Sequence, residues 1–310
     1  TRQFDLGLDL SFLEGSLRFT LDYYSRDTKD MLVQVPNPAS MGFPNTPWVN
    51  AGSISNKGFE VSIGYDGKVG DDFRYHINGN ISTYKNKIKD LGSEANIPGK
   101  GVHLGYYTYT MTEAGKPIGY YYGYKTDGVF QTQEEIDNYQ NNGKVVMPNA
   151  KPGDLKFVDL NKDGKLDDED RTMIGNPHPD FTYGLTLSGE YKGFDISAFF
   201  QGSVGNDLLN IVKYDIYGGV GWYNAPKDIL TTFWNGPGST NKNFAIDADS
   251  RLNREMSDWY VENGSYLRLK NLTIGYTIPS SITRKITLSN LRVFVAAQNL
   301  FTITGYSGLD

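Results

Sequence analysis

Phe4-Asp5-Leu6-Gly7-Leu8-Asp9-Leu10-Ser11-Phe12, a tight turn at Glu14-Gly15, then Leu17-Arg18-Phe19-Thr20-Leu21-Asp22-Tyr23: the opening of this chain alternates apolar and polar residues without a slip. A period of two sends all the apolar side chains of a strand to one face and the polar ones to the other. Two such runs around a glycine turn predict an antiparallel hairpin with one greasy and one hydrophilic face.

The pattern returns along the chain. Phe59, Val61, Ile63 and Tyr65 alternate with Gly58, Glu60, Ser62 and Gly64. Phe73, Tyr75, Ile77 and Ile81 face away from Arg74, His76, Asn78, Asn80 and Ser82. A second hairpin turns at Lys192-Gly193, with Tyr183, Leu185, Leu187 and Tyr191 before it and Phe194, Ile196, Ala198 and Phe200 after it. A seventh strand, about Tyr266 to Ile278, changes phase near Asn271-Leu272, which predicts a bulge. The eighth carries Leu291, Val293, Val295 and Ala297 opposite Arg292 and Gln298.

The links alternate in length. Short ones lie at 14–15, 66–72, 192–193 and about 279–290, and long ones at about 31–56, 86–180 and 206–264. Outer-membrane barrels show this asymmetry, with short periplasmic turns and long external loops. The predicted fold is all-β: an antiparallel transmembrane β-barrel, represented by about eight strands, with long extracellular loops. Tyr24, Tyr65, Tyr84, Tyr191 and Tyr276, near strand ends, are expected to form an interfacial girdle.

Composition agrees. Of 310 residues, 22 are Tyr, 16 Phe and 35 Gly, a mix that favours strands and tight turns. No run approaches the roughly 18 apolar residues of a membrane helix. The net charge is −6 with no basic stripe, so nucleic acid is not an expected partner. With no cysteine there is no thiol nucleophile or thiolate metal site. His76, His103 and His178 lack zinc-ligand spacing, no nucleophile elbow is present, and paired carboxylates such as Asp71-Asp72 sit in turns. An enzyme is not expected. Thr1-Arg2-Gln3-Phe4 already alternates, without a leader, so the chain is expected to begin inside a larger protein.

Four segments carry a family resemblance. Trp259-Tyr260-Val261-Glu262-Asn263-Gly264-Ser265-Tyr266-Leu267-Arg268-Leu269-Lys270-Asn271-Leu272-Thr273-Ile274-Gly275-Tyr276 resembles the "ENGSYLRLKNLTLGY" signature of SusC/RagA-type TonB-linked outer-membrane proteins. Gln298-Asn299-Leu300-Phe301-Thr302-Ile303-Thr304-Gly305-Tyr306-Ser307-Gly308 is similar to that family's "QNLFTxTxYSG". Asn50-Ala51-Gly52-Ser53-Ile54-Ser55-Asn56-Lys57-Gly58-Phe59-Glu60 and Gly175-Asn176-Pro177-His178-Pro179-Asp180-Phe181 resemble two further segments.

The resemblance implies that residues 1–310 are the C-terminal part of a plugged barrel of roughly 22 strands. The plug, the N-terminal extension and the last strand would lie outside these residues. It implies TonB-dependent import of oligosaccharides or peptides in the outer membrane of a Gram-negative, Bacteroidota-like bacterium. A SusD-like surface lipoprotein would be the lid, and TonB–ExbB–ExbD would couple through the parts outside this chain. An eight-strand piece with two open edges is not expected to fold stably by itself.

One segment has metal-loop spacing. Within 154–175, Asp159, Asn161 and Asp163 stand at positions 1, 3 and 5 of an EF-hand-like loop, Gly164 at 6 and Asp170 at 12. A structural Ca²⁺ would take side-chain oxygens from Asp159, Asn161, Asp163 and Asp170, the carbonyl of Lys165, and Asp167 through water. Aspartate replaces the usual glutamate at position 12. Trp48, Trp222, Tyr223 and Trp234 in the long loops offer flat faces for sugar or peptide. Alternation alone does not say whether the apolar face meets lipid or protein. A soluble calcium-binding β-rich adhesin or carbohydrate-binding module is therefore the alternative.

Overall fold

The computed structural model describes residues 1–34, 48–92, 95–99, 108–217, 224, 226–246 and 252–309. Eight long strands form one antiparallel sheet: β1 (Arg2–Phe12), β2 (Leu17–Gln34), β3 (Trp48–Val69), β4 (Phe73–Asp90), β5 (Phe181–Tyr191), β6 (Phe194–Val204), β7 (Tyr266–Thr277) and β8 (Arg292–Thr304). Each strand pairs with its sequence neighbours, so the sheet is a simple meander with β1 and β8 at its edges.

Register explains why two faces form. Leu21, Val61, Ile81 and Tyr183 lie side by side, as do Tyr65, Ile77, Leu187, Ala198, Leu272 and Ala297. Asp9, Thr20, Ser62, Asn80, Gly184, Gln201 and Arg268 form a polar row on the other side. A slip of one residue on any strand would mix the faces, so the apolar pattern and the hairpin turns specify a single register. At the β5–β6 turn Lys192 and Gly193 both have positive φ, 47° and 87°, the mirror-image turn whose twist matches its flanking strands. The bulge expected near Asn271 falls between Leu269 and Asn271, against β8.

The apolar face is bare. Leu6 is 63% exposed, Phe59 52%, Ile196 48% and Val295 74%, and among the described residues no second sheet covers them. A β-sandwich would bury these same residues, so the soluble alternative loses its core. The buried core lies elsewhere, in the long loops. Phe130, Leu155, Phe157, Phe244, Trp259 and Tyr260 belong to one cluster drawn from both the 91–180 and the 205–265 connections. The strands supply the wall, and the loops make a separate body at its long-loop end. A smaller cluster of Ile54, Ile88 and Leu91, with Met31 and Ile97 against it, joins the two.

Parity corrects part of the expected tyrosine girdle. Tyr65, Tyr191 and Tyr276 are on the apolar face, in line with Leu17, Phe73 and Phe194 respectively. Tyr24 and Tyr84 are even-numbered on strands whose apolar positions are odd, and they flank Gly58 on the polar face. A Cβ at Gly58 would sit 2.7 Å from the Tyr24 hydroxyl, so glycine there makes room for the ring.

Candidate functional site

The candidate site is the polar face of the sheet together with the loop body at its long-loop end. At the short-turn end the polar face is crowded with ion pairs. Arg18 donates to Asp66 at 2.6 Å, His76 Nδ1 bonds the other Asp66 oxygen, Arg292 Nε donates to Asp195 at 2.9 Å, and Lys192 sits 3.3 Å from Asp72. Asp66, His76, Asp72, Lys192, Asp195 and Arg292 line an open basin of about 1360 Å³. Each pair is solvent-exposed and contributes little stability. Together they give the polar face at this end a hydrophilic, charge-balanced surface.

At the other end the two long loops are stitched into one body. Thr126 Oγ1 donates to Asp258 at 2.7 Å, Asn253 Nδ2 to Asp154 at 2.8 Å, the Leu155 N–H to Asn253 Oδ1 at 2.8 Å, and Arg171 to Glu255 at 2.9 Å. Tyr260 is fully buried and its hydroxyl donates to the Asn253 carbonyl; burial pushes that phenol far above its ordinary range.

The segments that carry the family resemblance hold this body to the rim of the wall. Asp207–Leu209 and Val261–Asn263 pair as a short stalk above β6 and β7. The Asn176 N–H donates to Asp207 at 2.8 Å, and the Asp207 N–H to the Asn176 carbonyl at 2.7 Å. His178 bonds both the Tyr84 hydroxyl, at 3.1 Å, and the Ile118 carbonyl, at 2.9 Å. Asn86 donates to Asn56 at 2.7 Å and accepts from the Ile118 N–H at 2.8 Å. Glu262 holds Ser307, beyond the end of β8. Lys213 donates to the Trp259 carbonyl at 2.6 Å and lies over the Trp259 ring; burial pushes its ammonium pKa down, while Glu262 at 3.5 Å pulls it back up. The motif residues therefore act as joinery. Sequence reasoning found the motifs but had no signal for which would meet.

The Asp159–Asp170 segment is a closed, well-bonded loop. Asp159 is buried and accepts from Lys162 N–H (2.7 Å), Gly164 N–H (3.0 Å) and Asn141 Nδ2 (2.9 Å). Burial alone would raise its pKa, and these three donors hold it below the ordinary carboxylate range instead. Asp170, also buried, accepts from the N–H groups of Leu160 (2.8 Å) and Asp167 (3.0 Å). The Lys165 ammonium lies between Asp163, at 3.3 Å, and Asp167. Asp167 is held low in pKa first by that lysine, and Lys165 is pushed well up. Among the described residues no three acidic or histidine side chains converge on one point.

Of the aromatic residues expected at a mouth, Trp48 begins β3 and is 63% exposed. Trp234 packs against the loop core and donates its indole N–H to Gln131 at 3.2 Å, so it serves first as a packing residue. Trp222 and Tyr223 lie outside the described residues.

Comparison with known proteins agrees with this geometry. The family described as TonB dependent receptor-like, beta-barrel matches residues 1–300. TonB-dependent receptor P3 of Formosa agariphila is 34% identical over 312 residues, which span all of this chain and 30% of that protein. TonB-dependent receptor SusC of Bacteroides thetaiotaomicron is 30% identical over 322 residues, again all of this chain and 29% of that protein. The chain thus spans about 30% of the length of these relatives. The solved RagAB peptide transporter has the same fold, with a TM-score of 0.80 at 24% identity, over 99% of this chain and 32% of that one. The eight strands described above are thus part of a barrel, with an apolar outer face and a polar inner one: the chain belongs to the TonB-dependent receptor β-barrel family of outer-membrane proteins.

Proposed function

We propose that this chain supplies lumen wall and extracellular loops to an outer-membrane importer that takes up oligosaccharides or peptides beneath a SusD-like surface lipoprotein. The observation that carries the reading is the division of labour within one sheet. A bare apolar face suits acyl chains, the opposite face is predominantly polar, and a packed loop body stands at the external mouth. Import against a gradient needs energy, which TonB–ExbB–ExbD would deliver through a plug seated against the ion-paired basin. The RagAB fold, described as a peptide transporter, supports peptide as one cargo class; the oligosaccharide class and the lid rest on the motifs' resemblance to the SusC/RagA family.

The test is uptake by cells carrying the full-length gene or its deletion. Labelled oligosaccharide and peptide pools should enter only the former, and a protonophore should stop entry. A surface lipoprotein should co-purify with the full-length protein in detergent. Equal uptake by the deletion strain, or uptake indifferent to the protonophore, would sink the proposal.

A further inference from the structure

The lipid-facing side of β1–β4 does not end as the other strands do. On β4 the outward positions run Phe73, Tyr75, Ile77, Gly79, Ile81, Thr83 and then Lys85, Lys87 and Lys89. On β3, Phe59 is followed outward by Lys57, and on β1, Phe4 is followed by Arg2. All five cations are exposed. Two acids lie among them: Asp27 of β2, beside Arg2 in register and paired with Lys89 at 2.8 Å, and exposed Asp90, opposite Ser53 past the β3–β4 bulge. The outward ends of β5 and β6, Phe181 and Val204, carry no charge, so the basic residues form a patch and not a general rim.

Their height is set by strand geometry. Lys85 lies twelve residues beyond Phe73 on β4. At about 3.3 Å per residue and a tilt of about 45° it stands roughly 28 Å above Phe73, just past an apolar band of about 25 Å. Lys87 and Lys89 rise further, on the long-loop, external side. Lysine at that depth can lay its stem along acyl chains and hold its ammonium among headgroups. Among the described residues, five cations against two acids leave a net positive patch whose natural complement is a cluster of phosphate oxygens.

We infer that Arg2, Lys57, Lys85, Lys87 and Lys89 form a binding site for the phosphates of a glycolipid in the outer leaflet. The site fixes the wall to a particular lipid, on a surface that neither cargo nor lid requires. It rests on the outer-membrane placement of the sheet, and the experiment separates the two.

The full-length protein and its Lys85→Gln/Lys87→Gln/Lys89→Gln variant are extracted in detergent and offered bisphosphorylated lipid A, its dephosphorylated form, or inorganic phosphate, with binding read by native mass spectrometry. Three cations, each contributing about 1 kcal/mol at an anionic surface, predict about 100-fold weaker retention of the phosphorylated lipid by the variant. Dephosphorylated lipid should bind both proteins weakly and alike, and millimolar phosphate should not displace the lipid. Equal retention by variant and wild type, equal binding of the phosphate-free lipid, or displacement by inorganic phosphate would each overturn the site. Both proteins should stay in the outer-membrane fraction and show heat-shifted gel mobility. A wild type absent from that fraction would remove the importer reading instead.

Discussion

Glu262 and Ser307 are joined twice: the Ser307 backbone N–H donates to Glu262 Oε2 at 2.8 Å, and the Ser307 hydroxyl donates to Oε1 at 2.8 Å. The contact ties the chain beyond β8 to the stalk that carries the loop body. Burial alone would raise the Glu262 pKa, but the two Ser307 donors, with Lys213 and Asn210, hold it below its ordinary value. A depressed carboxylate pKa contributes stability above the unfolded value, near 4.3, and loses it as pH falls through the lower folded value. Glu262→Gln should therefore weaken this joint by about 2 kcal/mol near neutral pH, the range for a hydrogen bond to a charged group. Hydrogen exchange of 261–263 and 305–309 in the full-length protein should speed up in the variant. The difference between variant and wild type should shrink as pH falls below the unfolded value and vanish once Glu262 is protonated in the folded state as well. A pH-independent difference would mean the charge is irrelevant.

Leu185 and Thr186 are adjacent on β5 and point to opposite media. Leu185 pairs with Gly79 and Phe200 on the lipid side, and Thr186 with Asn78 and Phe199 on the lumen side. Arginine near the bilayer midplane costs about 2–4 kcal/mol on a lipid face and far less in an aqueous lumen. Urea titration of the full-length barrel in phospholipid vesicles should show that loss for Leu185→Arg and little for Thr186→Arg. Equal losses would mean that the faces are misassigned.

The wall was legible because each of its strands repeats one local rule. Leu17, Phe19, Leu21 and Tyr23 need only their own alternation to be placed, and Lys192-Gly193 needs only its own turn chemistry. The loop body was not legible, because its contacts are long-range: nothing local in Thr126 announces Asp258, nor in Asp154 announces Asn253. The Tyr120-Tyr121-Tyr122 run shows the boundary between the two. Tyr120 is buried, yet the strand it belongs to pairs with residues 172–175, a partner no periodicity indicates. Parity was also available and unused for Tyr24 and Tyr84, which a count from Leu21 or Ile81 places on the lumen side.

Phe157 tests whether the loop body folds as its own unit. Its ring is fully buried against Tyr124, with centroids 5.3 Å apart. Removing a buried phenylalanine costs about 3–5 kcal/mol. A body held to the rim by a handful of hydrogen bonds should lose order without the wall losing it. Phe157→Ala should open the loop segments 109–175 and 226–246 to trypsin while the heat-shifted barrel band persists. Simultaneous loss of both would show that wall and loops form one cooperative unit.

Val293, Phe294 and Val295 are 59%, 58% and 74% exposed, because β8 pairs on one side only and is apolar on both faces at this point. β1 is likewise open on one side. Unpaired apolar edges recruit further strands. Residues 1–310 expressed by themselves should collect in inclusion bodies and refold in detergent to non-native assemblies, whereas the full-length protein refolds to a heat-shifted band. A soluble, monodisperse 310-residue protein would contradict the barrel assignment of both edges.

The Asp159–Asp170 loop sets its own spacing against its own lysine. The ligand order predicts Ca²⁺, yet Lys165 places an ammonium between Asp163 and Asp167, where it already supplies part of the positive charge that an ion would bring. Calcium has to displace that side chain, at the cost of two ion pairs. The lysine's main-chain carbonyl, the atom that would ligate, is unaffected by the exchange. Calorimetric titration of the full-length protein with Ca²⁺ should give heat that disappears in Asp163→Ala. Lys165→Ala, which removes the competitor and leaves every ligand atom, should bind more tightly than wild type. If Lys165→Ala and wild type both give flat traces, the loop is held by its own N–H groups and lysine, and the calcium spacing is a turn motif without an ion.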